Sequence, residues 1–563
     1  MKKITGRLIF GAVMLAAVFF MSAFLFPAGV QAVDVSSYDD LELLLQNEDA
    51  PETLEITITD HMDITNQIEV SSGIKKLTID GDGFTLNGGG SYSFLKVGKI
   101  DLTLSNITIE NCNGSDGAVI YADQPGTKIT LKDSVFNSNI AEIGSGGVVY
   151  QEGGTGESPA ESNTLTIERC TFEENGNEWF HGGVIYQRQY ARLKVSNSSF
   201  TDNFSEEDGG AISQGDDCQM VIENTTFEGN ISNYAEGGAV FQDERCSLEI
   251  SGSEFSGNDA YYQGGAVYQG DDGELTVTGS VFSRNKADER GGAICQKKGG
   301  VMTVEDCQFL ENESDVGGAV YAPTNAEVTG TGSKTCLFSG NKADSYGGAL
   351  EYGQDLTITG CTFRENESSA GGALASPWDR LFLDQEGEAY YFTREGLVGT
   401  VVISDSHFIE NTADYGGVWY DSAGFEEEMF GEDTYVYYDE EKGKYYYLTQ
   451  DELLPVVVVN PDGSETRYDD AGNKIYFDEA CGSKITVSGT EFIDNTANVN
   501  GGVFFRASIQ TAEIKDDTVF SGNSAPNGKG GVIYNRGEGE LTVSGSEFTK
   551  NSAGVTDAIC YSD

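Results

Sequence analysis

One short phrase recurs throughout this 563-residue chain and limits what it can fold into. A Phe is followed three residues later by Asn, and after four to six intervening residues comes Gly-Gly, then a small residue and a bulky apolar one. At 255–269 the phrase reads F-S-G-N-D-A-Y-Y-Q-G-G-A-V-Y-Q. The Phe/Asn pair occurs thirteen times, at Phe136, Phe172, Phe200, Phe227, Phe255, Phe282, Phe309, Phe338, Phe363, Phe408, Phe492, Phe520 and Phe548, and Gly-Gly follows twelve of them. Most successive Phe residues stand 27 or 28 positions apart. A fixed period of this length is the signature of a solenoid, in which each unit buries its apolar face on the next.

Each unit holds an alternating strand such as Leu275-Thr276-Val277, a short strand ending at Phe, the Asn turn and the Gly-Gly strand. Three strands this short leave no room for a helix or a hairpin, so they pair in parallel with their copies in the next unit. The expected fold is therefore all-β: a single-stranded parallel β-helix of about fourteen or more coils. The Phe residues form an inward ladder. Asn serves a turn where a short amide bonds backbone and its neighbours. Gly-Gly supplies positive φ or room for the next coil. Ile109 fills the Phe place one turn earlier, with Cys112 in the Asn place.

The remaining segments divide the chain. Residues 1–32, with Lys2, Lys3 and Arg7 before an apolar run at 8–26, read as an export signal, with an uncleaved membrane anchor as the alternative. Residues 33–108 hold a capping helix at 38–47 and first irregular coils. The repeats occupy 109–563, with insertions at 152–163, 377–400 and 421–482 at one vertex. The last of these carries strand-like 435–438, 445–448, 456–459 and 475–477 and reads as a small antiparallel meander.

A net charge of −57 repels polyanions and argues against nucleic acid, anionic membranes and bare polygalacturonate as partners. Membrane contact is expected only through the N-terminal segment, and no cofactor is expected beyond weak Ca²⁺ binding at acidic turns. Cys170, Cys307, Cys336 and Cys361 each stand two residues before a repeat Phe, where other units have Ser. They read as small buried positions, either free or cross-linked between coils.

The motif Phe-x-x-Asn followed by Gly-Gly-Ala-[Ile/Val/Leu], clearest at 227–240, 282–294 and 309–320, resembles the repeat of the polymorphic outer-membrane protein family. The resemblance implies a right-handed, pectin-lyase-like β-helix, a place at the cell surface or outer membrane, and adhesion. The family's full-length members end in an autotransporter barrel. No such segment lies before Asp563, so free secretion or a shortened reading frame is expected alongside surface attachment.

Signs of catalysis are few. Acid pairs Asp216/Asp217 and Asp271/Asp272 recur with the repeat, as solubilising turns do, and His61, His181 and His407 are isolated. No catalytic or metal-binding residue is assigned. The place after the inward apolar residue gives Tyr150, Tyr186, Phe241, Tyr268, Tyr321, Tyr420, Phe505 and Tyr534. By alternation these should face outward, as a track for a host or neighbouring-cell glycan or protein, or as plain coil-to-coil stacking. A second stripe, Gln151, Gln187, Gln214, Gln242, Gln269 and Gln296, reads as an amide ladder. The expected function is a monomeric, exported, adhesin-like scaffold. The alternatives are a polysaccharide lyase or glycoside hydrolase on the same fold, and a structural spacer.

Overall fold

Alternation decides which side chains enter each coil. In Thr164–Glu168, Leu165 and Ile167 are buried while Thr166 is exposed. The computed structural model describes residues 30–154, 162–331, 335–353, 355–377, 399–422, 484–506, 511–536, 540–556 and 558–562, with backbone strands between 382 and 475. The apolar run at 8–26 lies outside the described residues, as does most of each insertion. Two compact units are present: Met1–Tyr234 with Ala239–Gln242, and Ala235–Gly238 with Asp243–Asp563. Each is a parallel β-solenoid, and no described helix is long and apolar enough to cross a membrane.

In the first unit the Phe strands pair in register, Phe136 with Phe172 and Phe172 with Phe200. Their rings stack at centroid separations of 5.0 and 4.6 Å. In the second unit Phe282, Phe309, Phe338 and Phe363 stack at 5.1, 4.6 and 4.6 Å, with planes within 8° of parallel. Every one of these rings is fully buried. Ile109 occupies the Phe place, and Leu86 and Met62 extend the same column two coils further back.

Beside the rings runs a buried amide column. Asn312 Nδ2 donates to Asn341 Oδ1 at 2.9 Å and to the Phe282 carbonyl at 3.0 Å. Its Oδ1 accepts from the backbone N–H and Nδ2 of Asn285. One side chain thus hydrogen-bonds four groups in a dry interior. The same pattern links Asn139, Asn175, Asn203 and Asn230 in the first unit.

The two glycines divide their work. The first takes positive φ, +67° at Gly182 and +70° at Gly209. The second lies against the next coil: a β-carbon on Gly183 would come within 2.1 Å of the Gly210 carbonyl oxygen. Substituting either is therefore costly, for different reasons.

Most coils have four strands where the sequence shows three. The extra one is a short strand after Asn, such as Ile140–Ala141 or Ser524–Ala525, with its own parallel ladder. The thiols take the place of hydroxyls. Cys307 N–H donates to Cys336 Sγ as Cys361 N–H donates to Ser406 Oγ, and Cys307, Cys336 and Cys361 are free thiols.

At the N-terminus the helix Tyr38–Leu45 is capped by Ser37, whose hydroxyl accepts from Asp40 N–H, and Leu41 and Leu45 are buried. Val30–Val35, which includes the end of the expected export signal, pairs in parallel with Thr53–Ile58. The large insertion shows antiparallel backbone: Tyr435–Asp439 pairs with Lys444–Leu448, and Val456–Val459 with Glu465–Tyr468. Its described strands form two three-stranded antiparallel meanders.

Candidate functional site

The outward aromatic stripe is placed by alternation and then covered. Tyr268 is 9% exposed and Phe505 1%; Tyr150, Tyr321, Tyr420 and Tyr534 are also buried, and Tyr186 and Phe241 partly so. The rings stack on one another, Tyr420 on Phe505 at 5.1 Å and Phe505 on Tyr534 at 5.2 Å. Tyr346 and Tyr415, on the strand after Asn, close over Tyr420 and Phe505. In the first unit His181 lies against Tyr186. The fourth strand folds the coil back onto the stripe, which forms a second, outer apolar seam; of the two readings of the stripe, coil-to-coil stacking describes it and a flat open track does not. Burial and the Glu152 carboxylate push the Tyr150 phenol above its ordinary pKa.

The Gln stripe faces inward. Gln214 Nε2 donates to Gln187 Oε1, and Gln242 Nε2 to Gln214 Oε1, each at 2.6 Å. In later coils the same register position carries Tyr352, Ser376, Asp421, Arg506 and Asn535, all buried. Asp421 and Arg506 are direct partners on adjacent strands. Burial, then the Asp421 charge, holds the Tyr352 phenol far above its usual range. Counting four residues on from each second Gly would have revealed this column in the sequence.

The acid pairs are turn residues. Asp217 and Asp272 have φ of +57° and +55°, a conformation that Asp tolerates better than most residues. Among the described residues no three His, Cys, Asp or Glu side chains gather as a metal-ligand set. The three histidines lie apart. His181 reaches Glu207 at 3.2 Å and Asp208 at 3.0 Å, His407 pairs with Glu491, and His61 packs edge-on against Phe84.

A different surface gathers exposed chemistry. In the first unit the strands Gly176–Asn177, Phe204–Ser205 and Ile231–Ser232 lie side by side, with Gly176 opposite Phe204 and Phe204 opposite Ile231. The turns that follow stack through Glu207 N–H to the Phe180 carbonyl and Tyr234 N–H to the Glu206 carbonyl, each at 3.0 Å. That register gathers Glu178, Trp179, Phe204, Glu206, Glu207 and Tyr234 around an open groove of about 560 Å³. Trp179 is 63% exposed and Tyr234 64%. Phe204 lies over Gly176, which has no side chain to obstruct the ring. Glu206 is oriented by Asn233 Nδ2 at 3.2 Å, and Glu207 by His181. The sequence contained one signal of this groove, an aromatic pair, Trp179-Phe180, in a loop where other repeats carry mostly polar residues.

Comparison with known families finds two matches. The profile described as right-handed beta helix region matches residues 101–282 and, overlapping them, 239–427, together more than half of the chain. The Chlamydia polymorphic membrane protein repeat matches residues 517–536. No curated protein matches the chain. Among solved structures the chain is similar to a PL6 family alginate lyase, AlyGC, at 13% identity and TM-score 0.32, over 94% of this chain and 74% of that one. A likeness that distant carries no argument about activity.

Proposed function

Because the chain belongs to the right-handed β-helix family, we propose that it is an exported, non-catalytic, adhesin-like scaffold displayed at the cell surface. The observation that carries this reading is the contrast between shaft and groove. Along the coils, Phe, Asn and Gln side chains engage their copies above and below. At the groove, Trp179 and Tyr234 stand more than half exposed, further out than the exposed Tyr92, Phe180, Tyr261 and Tyr262, while the ladder rings are fully buried. Large exposed aromatic surface marks contact sites more often than it marks solvated surface.

The match of 517–536 to a repeat named for polymorphic membrane proteins supports a surface location. Two insertions leave adjacent strands, with Ser376 opposite Asp421 and Pro377 opposite Ser422. Such a vertex suits a lobe held away from the coils. The test places the purified full chain on epithelial monolayers and on mucin-coated plates, and in parallel on neutral and acidic glycans. Retention without release of reducing or unsaturated sugar is expected. Sugar release, or passage with no retention, would overturn the reading.

A further inference from the structure

We infer that the groove between Trp179, Phe204 and Tyr234 takes Arg or Lys side chains from an extended segment of a partner protein. The inference deepens the adhesin reading by naming the chemistry of what is held. Three aromatic faces and three carboxylates line the groove, and no Lys or Arg is among the lining residues. Aromatic faces attract cations through their quadrupoles, most strongly Trp and most often with Arg. Carboxylates gathered in one groove repel one another, and a cation relieves that repulsion where the hydroxyls of a neutral sugar do not.

The chain meets the same demand elsewhere with its own residues. In the second unit the Arg290 guanidinium lies 5.4 Å from the centroid of the Tyr321 ring. At the groove's edge the His181 imidazole is drawn between Glu207 and Asp208. A net charge of −57 brings cationic segments to this surface from a distance, and the aromatic rings decide where they stop.

The experiment titrates the full chain with a labelled Gly/Ser peptide bearing two arginines, in about 150 mM salt to suppress long-range attraction. A twin peptide with citrulline keeps the shape and removes the charge. A neutral mannose or galactose oligosaccharide forms the third arm. Saturable binding of the arginine peptide is expected, with no binding of the citrulline twin. Trp179→Ala should weaken it about tenfold, Trp179→Phe should restore most of the loss, and Glu206→Gln should weaken it several-fold. Far-UV circular dichroism and Tm of each variant confirm that the coils are intact.

Equal binding of the two peptides would overturn the proposal. So would an unchanged Kd in Trp179→Ala, which would mean diffuse charge attraction. Trp179-dependent capture of the neutral oligosaccharide in place of the arginine peptide would overturn the cation assignment and leave the adhesin reading intact. Arginine-peptide binding by a chain that no cell surface retains would support the groove and remove the adhesin reading.

Discussion

The ring of Phe204 lies over Gly176 of the neighbouring coil, where a β-carbon would come within 2.4 Å of Phe204 Cε1. Gly176 does not have positive φ, so the missing side chain, not the backbone, is what the position requires. The floor of the groove depends on that one absence.

Gly176→Val is therefore expected to push the Phe204 ring aside. It should lower stability by about 1–3 kcal/mol through overpacking and abolish arginine-peptide binding. Adding Phe204→Ala should recover part of the stability and none of the binding. Urea denaturation of the two variants checks the first expectation, and peptide titration the second. Additive losses of stability would mean that the two residues do not touch.

Phe282 stacks on Phe255 at 4.8 Å and on Phe309 at 5.1 Å, fully buried. Phe282→Ala should cost about 3–5 kcal/mol, from lost burial and the cavity left between two rings. Equilibrium unfolding measures it, and a loss below about 1 kcal/mol would place Phe282 outside the core.

Asn312 satisfies four groups at once. Asn312→Asp keeps the size and replaces the donating Nδ2 by an acceptor facing the Phe282 carbonyl. Burial should raise the folded-state carboxyl pKa of this variant above the ordinary value of about 4. By linkage, the variant is then least impaired below about pH 4, where the carboxyl is protonated in both states. It loses stability as pH rises through the folded pKa. Denaturation midpoints of variant and wild type from pH 3.5 to 8 should therefore diverge as pH increases.

Burial pushes the Cys295 and Cys307 thiols up to about 12 and the Cys170 thiol up to about 11. Folded-state values above the ordinary 9.0 mean that these groups favour the folded chain below pH 9, and that this contribution is lost as pH climbs from 9 towards 12. Alkaline unfolding should accordingly be shifted to higher pH by Cys307→Ser, which keeps a hydroxyl in the same ladder. At pH 8 a thiol reagent should label these residues only after denaturant is added.

Arg506 and Asp421 are buried register partners where other coils carry Gln. Arg506→Ala should destabilise by about 3–5 kcal/mol because a buried carboxylate loses its opposing charge, and Asp421→Ala in the same chain should recover much of it. A double-mutant cycle in urea gives the coupling. Zero coupling would show that the two charges are satisfied elsewhere.

The ladders were legible in the sequence because one residue type repeats at one offset, as Phe255, Phe282 and Phe309 do. Met62 and Leu86 were not, since aliphatic substitutes at shorter spacing carry no motif. The strand after Asn is only two residues long in most coils, so Ile140–Ala141 left no alternation to read. That omission also hid the cover over Tyr420 and Phe505, because Tyr415 sits on the unread strand. Beyond the Trp179-Phe180 pair, the groove left little to read. Trp179 and Tyr234 each stand four residues after a repeat Asn, in coils two apart, but Glu207 holds that place in the coil between and Phe204 enters from one residue after its own Asn, so no continuous aromatic stripe marks the groove.

The most direct test of the scaffold reading is retention of the full chain on epithelial monolayers, wild type beside Trp179→Ala/Tyr234→Ala. Both residues are exposed, so the coils should be unchanged by circular dichroism and Tm. The account predicts that wild type is retained and the double variant is released by the first wash. Equal retention of the two proteins would contradict it.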